Sequence, residues 1–232
     1  GVASDPATSA AVLVVVPAGP SRSVSAGTYF SVMLDGSDVL TWGNNAQGQL
    51  GHGSGSTPTA APIDAGGAEF VAVEAGRNHT VAIDTDGDLW TFGRNDQGQL
   101  GRETSSVADQ RTPTELTIAG DPTFVAASAG GLHTIALASD GDLWTFGYNG
   151  YGQLGRVTTR ATQWIPTRVD VTGDPTFTQV SAGWEHTLAV DESGHLWSFG
   201  SNTYQQLGRV TPGSRSPDRN PGRVEIDGDP VF

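Results

Sequence analysis

Histidines recur along the chain at one position of a repeated pattern, and this spacing could place them around a metal ion. His79, His133 and His186 each precede a threonine at the start of an apolar stretch. Equivalent side chains from successive repeats could converge near an axis, as a metal site requires. A repeated hydrogen bond from side chain to backbone is the simpler interpretation, and Phe30 at the same position of the first copy favours it. We therefore predict no metal site.

The run Asp84, Asp86 and Asp88 is a second candidate for metal chemistry, because alternating carboxylates begin many calcium loops. Those loops need about twelve residues and a distal glutamate. Here Leu89 and Trp90 of an apolar stretch follow at once. The pattern favours a turn over a calcium site.

Side chains for nucleophilic catalysis do not form a known pattern. The chain has no G-x-S-x-G elbow, no cysteine, and no lysine with which a phosphate-binding loop could work. Carboxylate pairs such as Asp191 and Glu192 fall in predicted turns, where solvated charge is the default. We predict that the chain is not an enzyme and needs no cofactor.

Arginine opens the segment that follows three of the four L-G pairs, at Arg102, Arg156 and Arg209. These segments vary in length and contain more arginine and one tryptophan, the residue types that dominate binding hot spots. The predicted partner-binding residues are Arg102, Arg111, Arg156, Arg160, Trp164, Arg209, Arg215 and Arg219. The alternative is that the three L-G arginines pair with carboxylates of their own repeat and that Trp164 covers a core edge.

A repeat of about 50 residues must position these side chains. The stretch "DTDGDLWTFGRNDQGQLG" at 84–101 returns as "ASDGDLWTFGYNGYGQLG" at 138–155, and less closely at 34–51 and 191–208. Repeat length changes only after L-G, which is typical of stacked units with one variable loop. The predicted repeats are approximately 21–69, 70–123, 124–176 and 177–232, after a segment 1–20 that supplies one strand of a preceding unit.

Hydrophobic alternation within a repeat predicts four short antiparallel strands, the pattern of a propeller blade. In the second repeat they are "FVAVEAG" (70–76), "HTVAID" (79–84), "DLWTFG" (88–93) and "TELTIAG" (114–120). Asp86-Gly87 predicts a two-residue hairpin turn with positive φ at both positions. The aromatic residues predicted to fill the gaps between sheets are Trp42, Phe92, Phe146 and Phe199. The predicted fold class is all-β.

The stretch "AGRNHTVAIDTDGDLWTFGRNDQGQLG" at 75–101 resembles the repeat of the regulator of chromosome condensation family. The match covers four units, roughly residues 21–222, and its motifs recur in order. The resemblance implies a β-propeller, which in this family usually closes with seven blades, and a binding platform more often than an enzyme. One departure is Gln205, which stands where Gly48, Gly98 and Gly152 occupy the other copies.

Four units leave the ring arrangement open. The chain could be a piece of a longer ring, a four-bladed ring, or an arc whose exposed edges pair with a second chain. The last segment, "GDPVF" at 228–232, matches "GDPTF" at 120–124, which enters a blade. An overlapping end of this kind favours the first or the third arrangement, and the third implies self-association.

Charge narrows the class of partner. The 232 residues include 25 acidic residues and 12 arginines, for a formal net charge of −13. Such a field repels phosphate, so nucleic acid is disfavoured and a protein partner is favoured. The longest apolar run, at 10–18, is too short for a membrane span. An acidic chain without lysine suits an extracellular or cell-surface setting.

The predicted function is that of a non-catalytic protein-interaction module that binds through the variable loops after each L-G pair. Guanine-nucleotide exchange on a small GTPase is an alternative, implied by the founding member of the family; it would require a wedge projecting between blades, and no such insertion is found. A secreted or cell-surface inhibitor or adhesin, binding a protein or a glycan, is a further alternative.

Overall fold

The computed structural model describes residues 22–53, 55–103, 110–211 and 217–225. These residues form sixteen β-strands in four sheets, and no helix occurs among them that could span a membrane. The first sheet contains β1 (Arg22–Ala26), β2 (Phe30–Asp35), β3 (Asp38–Gly43) and β4 (Thr57–Pro62). The second contains β5 (Phe70–Ala75), β6 (His79–Asp84), β7 (Leu89–Gly93) and β8 (Gln110–Glu115). The third contains β9 (Phe124–Ala129), β10 (His133–Ala138), β11 (Leu143–Tyr148) and β12 (Thr162–Arg168). The fourth contains β13 (Phe177–Ala182), β14 (His186–Asp191), β15 (Leu196–Gly200) and β16 (Asp218–Arg223).

Every sheet is an antiparallel meander in which each strand pairs with the next along the chain. The first strands β1, β5, β9 and β13 contact one another in that order and are therefore the inner strands of four blades. Sheets pack in sequence order, and among the described residues no comparable packing joins β13 to β1. The predicted all-β fold with four-stranded blades is confirmed.

Apolar side chains fill the space between neighbouring sheets. Phe92, Phe146 and Phe199 are fully buried, which confirms the prediction that they fill these gaps. Trp42 is only half-buried, because no sheet among the described residues lies beyond the first one. Burying a side chain of this size stabilises the fold by roughly 2 kcal/mol, so each sheet depends on its neighbours.

The fourth strands were predicted too far along the chain. Strand β8 runs from Gln110 to Glu115, so it takes up the end of the variable segment, and only two of its residues lie in the predicted stretch 114–120. The equivalent stretches "TRVDVTG" (167–173) and "GRVEIDG" (222–228) are also predicted as fourth strands, and β12 and β16 begin earlier than these stretches in the same way. The reason is that these are outer strands, where proline is tolerated because one edge makes no ladder hydrogen bonds, and each of the three contains a proline.

The Asp86-Gly87 turn was also predicted incorrectly in detail. Gly87 has a φ of +87°, but Asp86 is not among the residues with positive φ. The backbone N–H of Asp84 donates to the carbonyl oxygen of Asp88, so the loop has three residues. A three-residue hairpin needs one left-handed position, its last, and not two.

The outer flanks of the first and fourth sheets expose apolar residues that internal sheets bury. Val24 of β1 is 75% exposed, whereas Val73, its counterpart in β5, is 3% exposed. Leu188 of β14 is half-buried, whereas its counterpart Ile135 is fully buried. The predicted strand in 1–20 and the "GDPVF" segment lie outside the described residues.

Replacing Gln205 with glycine should stabilise the chain. Gln205 has a φ of +64°, a conformation that costs a residue with a Cβ about 1 kcal/mol or more. A Cβ at the equivalent Gly98 would come within 2.6 Å of the carbonyl oxygen of Gln163 in the next sheet, but no described sheet follows Gln205. We expect Gln205→Gly to raise the free energy of unfolding by about 1 kcal/mol, measured by urea titration. An unchanged or lower value would contradict this account, and Thr203→Gly is the control.

Candidate functional site

Two kinds of connection meet at one end of every sheet. The turns between first and second strands (27–29, 76–78, 130–132 and 183–185) lie beside the loops that join third and fourth strands. The backbone N–H of Arg94, in such a loop, donates to the carbonyl oxygen of Asn78 in the adjacent turn. We call this end the loop face. The hairpin turns and the connections between sheets lie at the opposite end.

Each loop on this face has a rigid base. The amide of Asn95 is fully buried; its Oδ1 accepts from the backbone N–H of Leu100 at 3.0 Å and its Nδ2 donates to the carbonyl oxygen of Arg102 at 3.2 Å. The Oε1 of Gln99 accepts from the backbone N–H of Gln97 at 2.9 Å. The same Asn-to-Leu and Gln contacts recur in the other sheets. The recurring N-x-x-G-Q-L-G motif therefore holds the start of each variable loop in place.

Buried histidines join neighbouring sheets beneath the loop face. The Nε2 of His79 lies 3.0 Å from Oγ1 of Thr134 in the next sheet, and that hydroxyl donates to the carbonyl oxygen of Gln99 at 2.9 Å. The hydroxyl oxygen therefore accepts from Nε2, which makes His79 the neutral Nε2–H form. His133 and Thr187 form the same pair at 3.0 Å. The histidines thus serve separate interfaces and do not gather around one ion.

The carboxylate of Asp84 is engaged by its own turn at the opposite end. Its Oδ1 accepts from the backbone N–H groups of Asp86 at 3.1 Å and Asp88 at 2.9 Å, and its Oδ2 accepts from Nε1 of Trp90 at 2.7 Å. No group of three or more potential metal ligands occurs in the part of the chain that the structure describes. The aspartate run builds a turn.

The three L-G arginines reach back along their own sheets. The Nη1 of Arg102 donates to the carbonyl oxygen and hydroxyl of Thr91 and to the carbonyl oxygen of Thr114, and burial lowers the pKa of Arg102 to about 10. Arg156 makes the equivalent contacts with Thr145. Arg209 contacts Ser198 and also pairs with Asp218 at 2.8 Å. Two of the three therefore bind backbone and hydroxyl groups where the alternative interpretation had proposed carboxylates.

The other predicted binding residues differ in their surroundings. Arg111 and Arg219 each donate to a carbonyl oxygen in the preceding sheet, of Asn45 at 3.1 Å and of Asn149 at 3.0 Å. Arg160 is exposed, and its guanidinium has no partner among the described residues. Trp164 is half-buried on β12. Arg215 lies outside the described residues.

The structure adds aromatic residues that sequence reasoning missed. The exposed fractions of Tyr29, Tyr151, Trp184 and Tyr204 are 75%, 37%, 53% and 88%, and all four lie in loop-face connections. The guanidinium of Arg77 lies 4.9 Å from the ring centroid of Trp184, two sheets away. Departure from the repeat was the signal: Tyr29, Arg77 and Trp184 stand at positions where the four copies differ.

Small residues leave an open groove at the centre of the loop face. The groove has a volume of about 360 Å³ and is lined by the four Ala-Gly turns together with Thr28, Arg77, Gly131 and Trp184. Its lining is alanine and glycine apart from Thr28, Arg77 and Trp184, so the only long side chains that line it are those of Arg77 and Trp184. A partner could therefore contact Arg77 and Trp184 directly.

Charge is divided between the two ends. Described connections of the loop face contain six arginines and three acidic residues, which are Arg77, Arg94, Arg102, Arg156, Arg160 and Arg209 with Asp96, Glu103 and Glu185. Described connections of the opposite end contain eleven acidic residues and no arginine, in segments 63–69, 85–88, 116–123, 139–142, 169–176, 192–195 and 224–225. Arg22 and Arg168, on strands near that end, pair with carboxylates there. Although the net charge of the chain is −13, the described connections of the loop face contain more arginines than acidic residues.

The arrangement of blades and motifs agrees with a family comparison. The model of the RCC1-like domain matches residues 3–231. The chain belongs to the RCC1-like domain family. It is 35% identical over 183 residues to the ultraviolet-B receptor UVR8 of Arabidopsis thaliana, which covers 77% of this chain and 40% of that protein. It is 32% identical over 201 residues to the secretion-regulating guanine nucleotide exchange factor of Mus musculus, 82% of this chain and 43% of that protein.

A solved structure supports the fold of this RCC1-like chain. The crystal structure of Prp20p from Saccharomyces cerevisiae, a protein that binds Gsp1p and histones, superposes with a TM-score of 0.77 at 24% identity. The match covers 89% of this chain and 51% of Prp20p. The chain thus spans about two fifths to one half of the length of these relatives.

Proposed function

We propose that this RCC1-like chain is a non-catalytic protein-interaction module whose partner binds the loop face, through the loops after each L-G pair and the neighbouring turns. The observation that carries this proposal is that exposed Trp184, Tyr29 and Tyr204 lie in connections of one face, which also contain six described arginines, and that Arg77 packs on the ring of Trp184. Tryptophan, tyrosine and arginine dominate binding hot spots, and loops on a rigid scaffold are where binding residues concentrate.

Pull-down with matched variants tests this assignment. We expect Trp184→Ala and Tyr204→Ala to lose proteins that the wild type retains, because truncating a hot-spot aromatic weakens binding by about 2 kcal/mol, or roughly thirtyfold. A second pair, Arg160→Ala and Trp164→Ala, tests the predicted loop residues. Ile165→Ala is the control: Ile165 adjoins Trp164 and is 64% exposed, but it lies midway along β12.

Quantitative mass spectrometry of the retained proteins gives the readout. Equal retention of every protein by Trp184→Ala, Tyr204→Ala, Arg160→Ala and Trp164→Ala would contradict the proposal. Loss that Ile165→Ala shares would point to a general defect of the chain, and thermal unfolding of each variant measures that defect separately.

Guanine-nucleotide exchange is a second candidate, favoured by the 32% identity to the secretion-regulating exchange factor over 82% of this chain. Release of fluorescent GDP from a panel of small GTPases tests it. Faster GDP release in the presence of the chain would favour exchange activity. An unchanged release rate would count against exchange and in favour of the non-catalytic interaction module.

Self-association stays a proposal. The exposed flanks of the first and fourth sheets, marked by Val24 and Leu188, are apolar surfaces of the kind that internal sheets bury. Molar mass by light scattering tests the proposal: a stable dimer supports it, and a monomer of 24.0 kDa at all concentrations overturns it.

A further inference from the structure

The loop face carries positive charge that the chain itself leaves largely uncompensated. Arg102 and Arg156 donate hydrogen bonds to carbonyl oxygens and hydroxyls, which are neutral groups and do not cancel the charge of the guanidinium. Arg77 packs on the ring of Trp184, and Arg160 points into solvent. Only Arg94 and Arg209, of the arginines in described loop-face connections, form ion pairs there, with Asp96 and Asp218. Even with Glu103 and Glu185 counted, the described connections of this face contain more arginines than carboxylates, on a chain whose net charge is −13.

The opposite end of the sheets carries charge of the other sign. The described connections of that end hold only acidic side chains among their Asp, Glu and Arg residues, so we expect an acidic molecule to be repelled from that end and attracted to the loop face. Separated charge of this kind orients a charged partner before contact and raises its association rate. Orientation toward the loop face brings the partner to the same exposed aromatic residues that support the proposed function.

We propose that the partner of the loop face is an acidic protein segment, whose carboxylates contact Arg77 and Arg160 and whose apolar side chains cover Trp184 and Tyr204. This inference rests on the proposed function and adds the chemistry of the partner. Arg77 lies at the edge of the central groove and Arg160 in the variable loop of the third sheet, so the two mark the inner and outer parts of the contact. An arginine guanidinium binds a carboxylate through two parallel hydrogen bonds.

Fluorescence anisotropy with a labelled polyglutamate peptide tests the proposal at low and physiological salt. The wild type should bind polyglutamate at low salt, and binding should weaken as salt rises because the charges are exposed. The double variant Arg77→Gln/Arg160→Gln should bind roughly tenfold more weakly. Arg22→Gln/Arg168→Gln at the opposite end changes the net charge by the same amount and should bind polyglutamate as the wild type does.

Each outcome decides for or against the proposal. Weaker polyglutamate binding by Arg77→Gln/Arg160→Gln, with unchanged binding by Arg22→Gln/Arg168→Gln, supports the proposal. Equally weakened binding by both double variants shows a net-charge effect and overturns it. Oligothymidylate of matched charge binding more tightly than polyglutamate overturns it in favour of a nucleic acid. If the Arg77→Gln chain does not fold, the single variant Arg160→Gln is tested in its place, because Arg160 is exposed and its replacement should not disturb the fold. If the polyglutamate assay fails while Trp184→Ala loses partners in the pull-down, the proposal of an acidic partner is wrong and the proposed loop-face function still holds.

Discussion

Replacing Gly76 with alanine should destabilise the chain by roughly 3 kcal/mol. A Cβ at this position would lie 2.8 Å from the carbonyl oxygen of Gly130 in the next sheet and 2.4 Å from Cε1 of His79. Neither group is free to move. Gly130 directly follows the neighbouring inner strand β9 and its N–H donates to the carbonyl oxygen of His133, and His79 is buried and hydrogen-bonded to Thr134. The new methyl group must therefore push two sheets apart. Urea titration followed by tryptophan fluorescence measures the loss.

Gly55→Ala is the matched control for that experiment. A Cβ at Gly55 has no neighbour within 4 Å, and its φ is not positive, so the same substitution should leave the free energy of unfolding within about 0.5 kcal/mol of the wild type. Equal stability of Gly76→Ala and Gly55→Ala would show that the inner strands do not approach each other as closely as the structure requires.

Stability should fall as the pH drops from about 6.5 toward 4, because buried histidines stay neutral in the folded chain. Burial lowers the pKa of His79 from 6.5 to about 4, and burial with the charges of His79 and His186 lowers the pKa of His133 to about 3. The Nδ1 atoms of His79 and His133 have no hydrogen-bond partner among the described residues, so a second proton on either ring has no acceptor there. Between these pKa values the unfolded chain binds protons that the folded chain does not, which costs about 1.4 kcal/mol per pH unit for each histidine.

The variant His133→Phe isolates this effect, since Phe30 already occupies the equivalent position of the first sheet. Comparing the free energy of unfolding at pH 6.5 and 5 in wild type and variant cancels the contributions of other groups. The wild type should lose about 2 kcal/mol more than His133→Phe over that interval. Parallel losses in the two chains would mean that His133 titrates normally in the folded state.

The repeat made much of the fold predictable. Period-two alternation and the Asp86-Gly87 turn located the first three strands of the second sheet, and the aromatic positions from Phe92 to Phe199 were placed correctly between sheets. The fourth strands were displaced because Pro113, Pro166 and Pro221 read as strand breakers, whereas an outer strand tolerates them. Local sequence does not reveal which strand is outermost.

The binding residues were harder to predict, for two physical reasons. The sequence shows where an arginine is but not which group it contacts. Arg102 and Arg156 each donate to the carbonyl oxygen of a threonine eleven residues earlier, on the third strand of their own sheet. Arg77 and Trp184 lie in short turns of different sheets and come together only because the turns after the four inner strands line one groove. That convergence is a property of the packed sheets. The role of the eight predicted residues stays a prediction.

Hydrogen exchange with a partner bound tests most directly whether binding occurs at the loop face. With the partner retained in the pull-down, we predict slower exchange in 76–78, 183–185 and the third-to-fourth strand loops, which form the loop face. The hairpin turns 85–88, 139–142 and 192–195 at the opposite end should exchange as in the free chain. Protection confined to those hairpin turns, with unchanged exchange at 76–78 and 183–185, would contradict the assignment of this face.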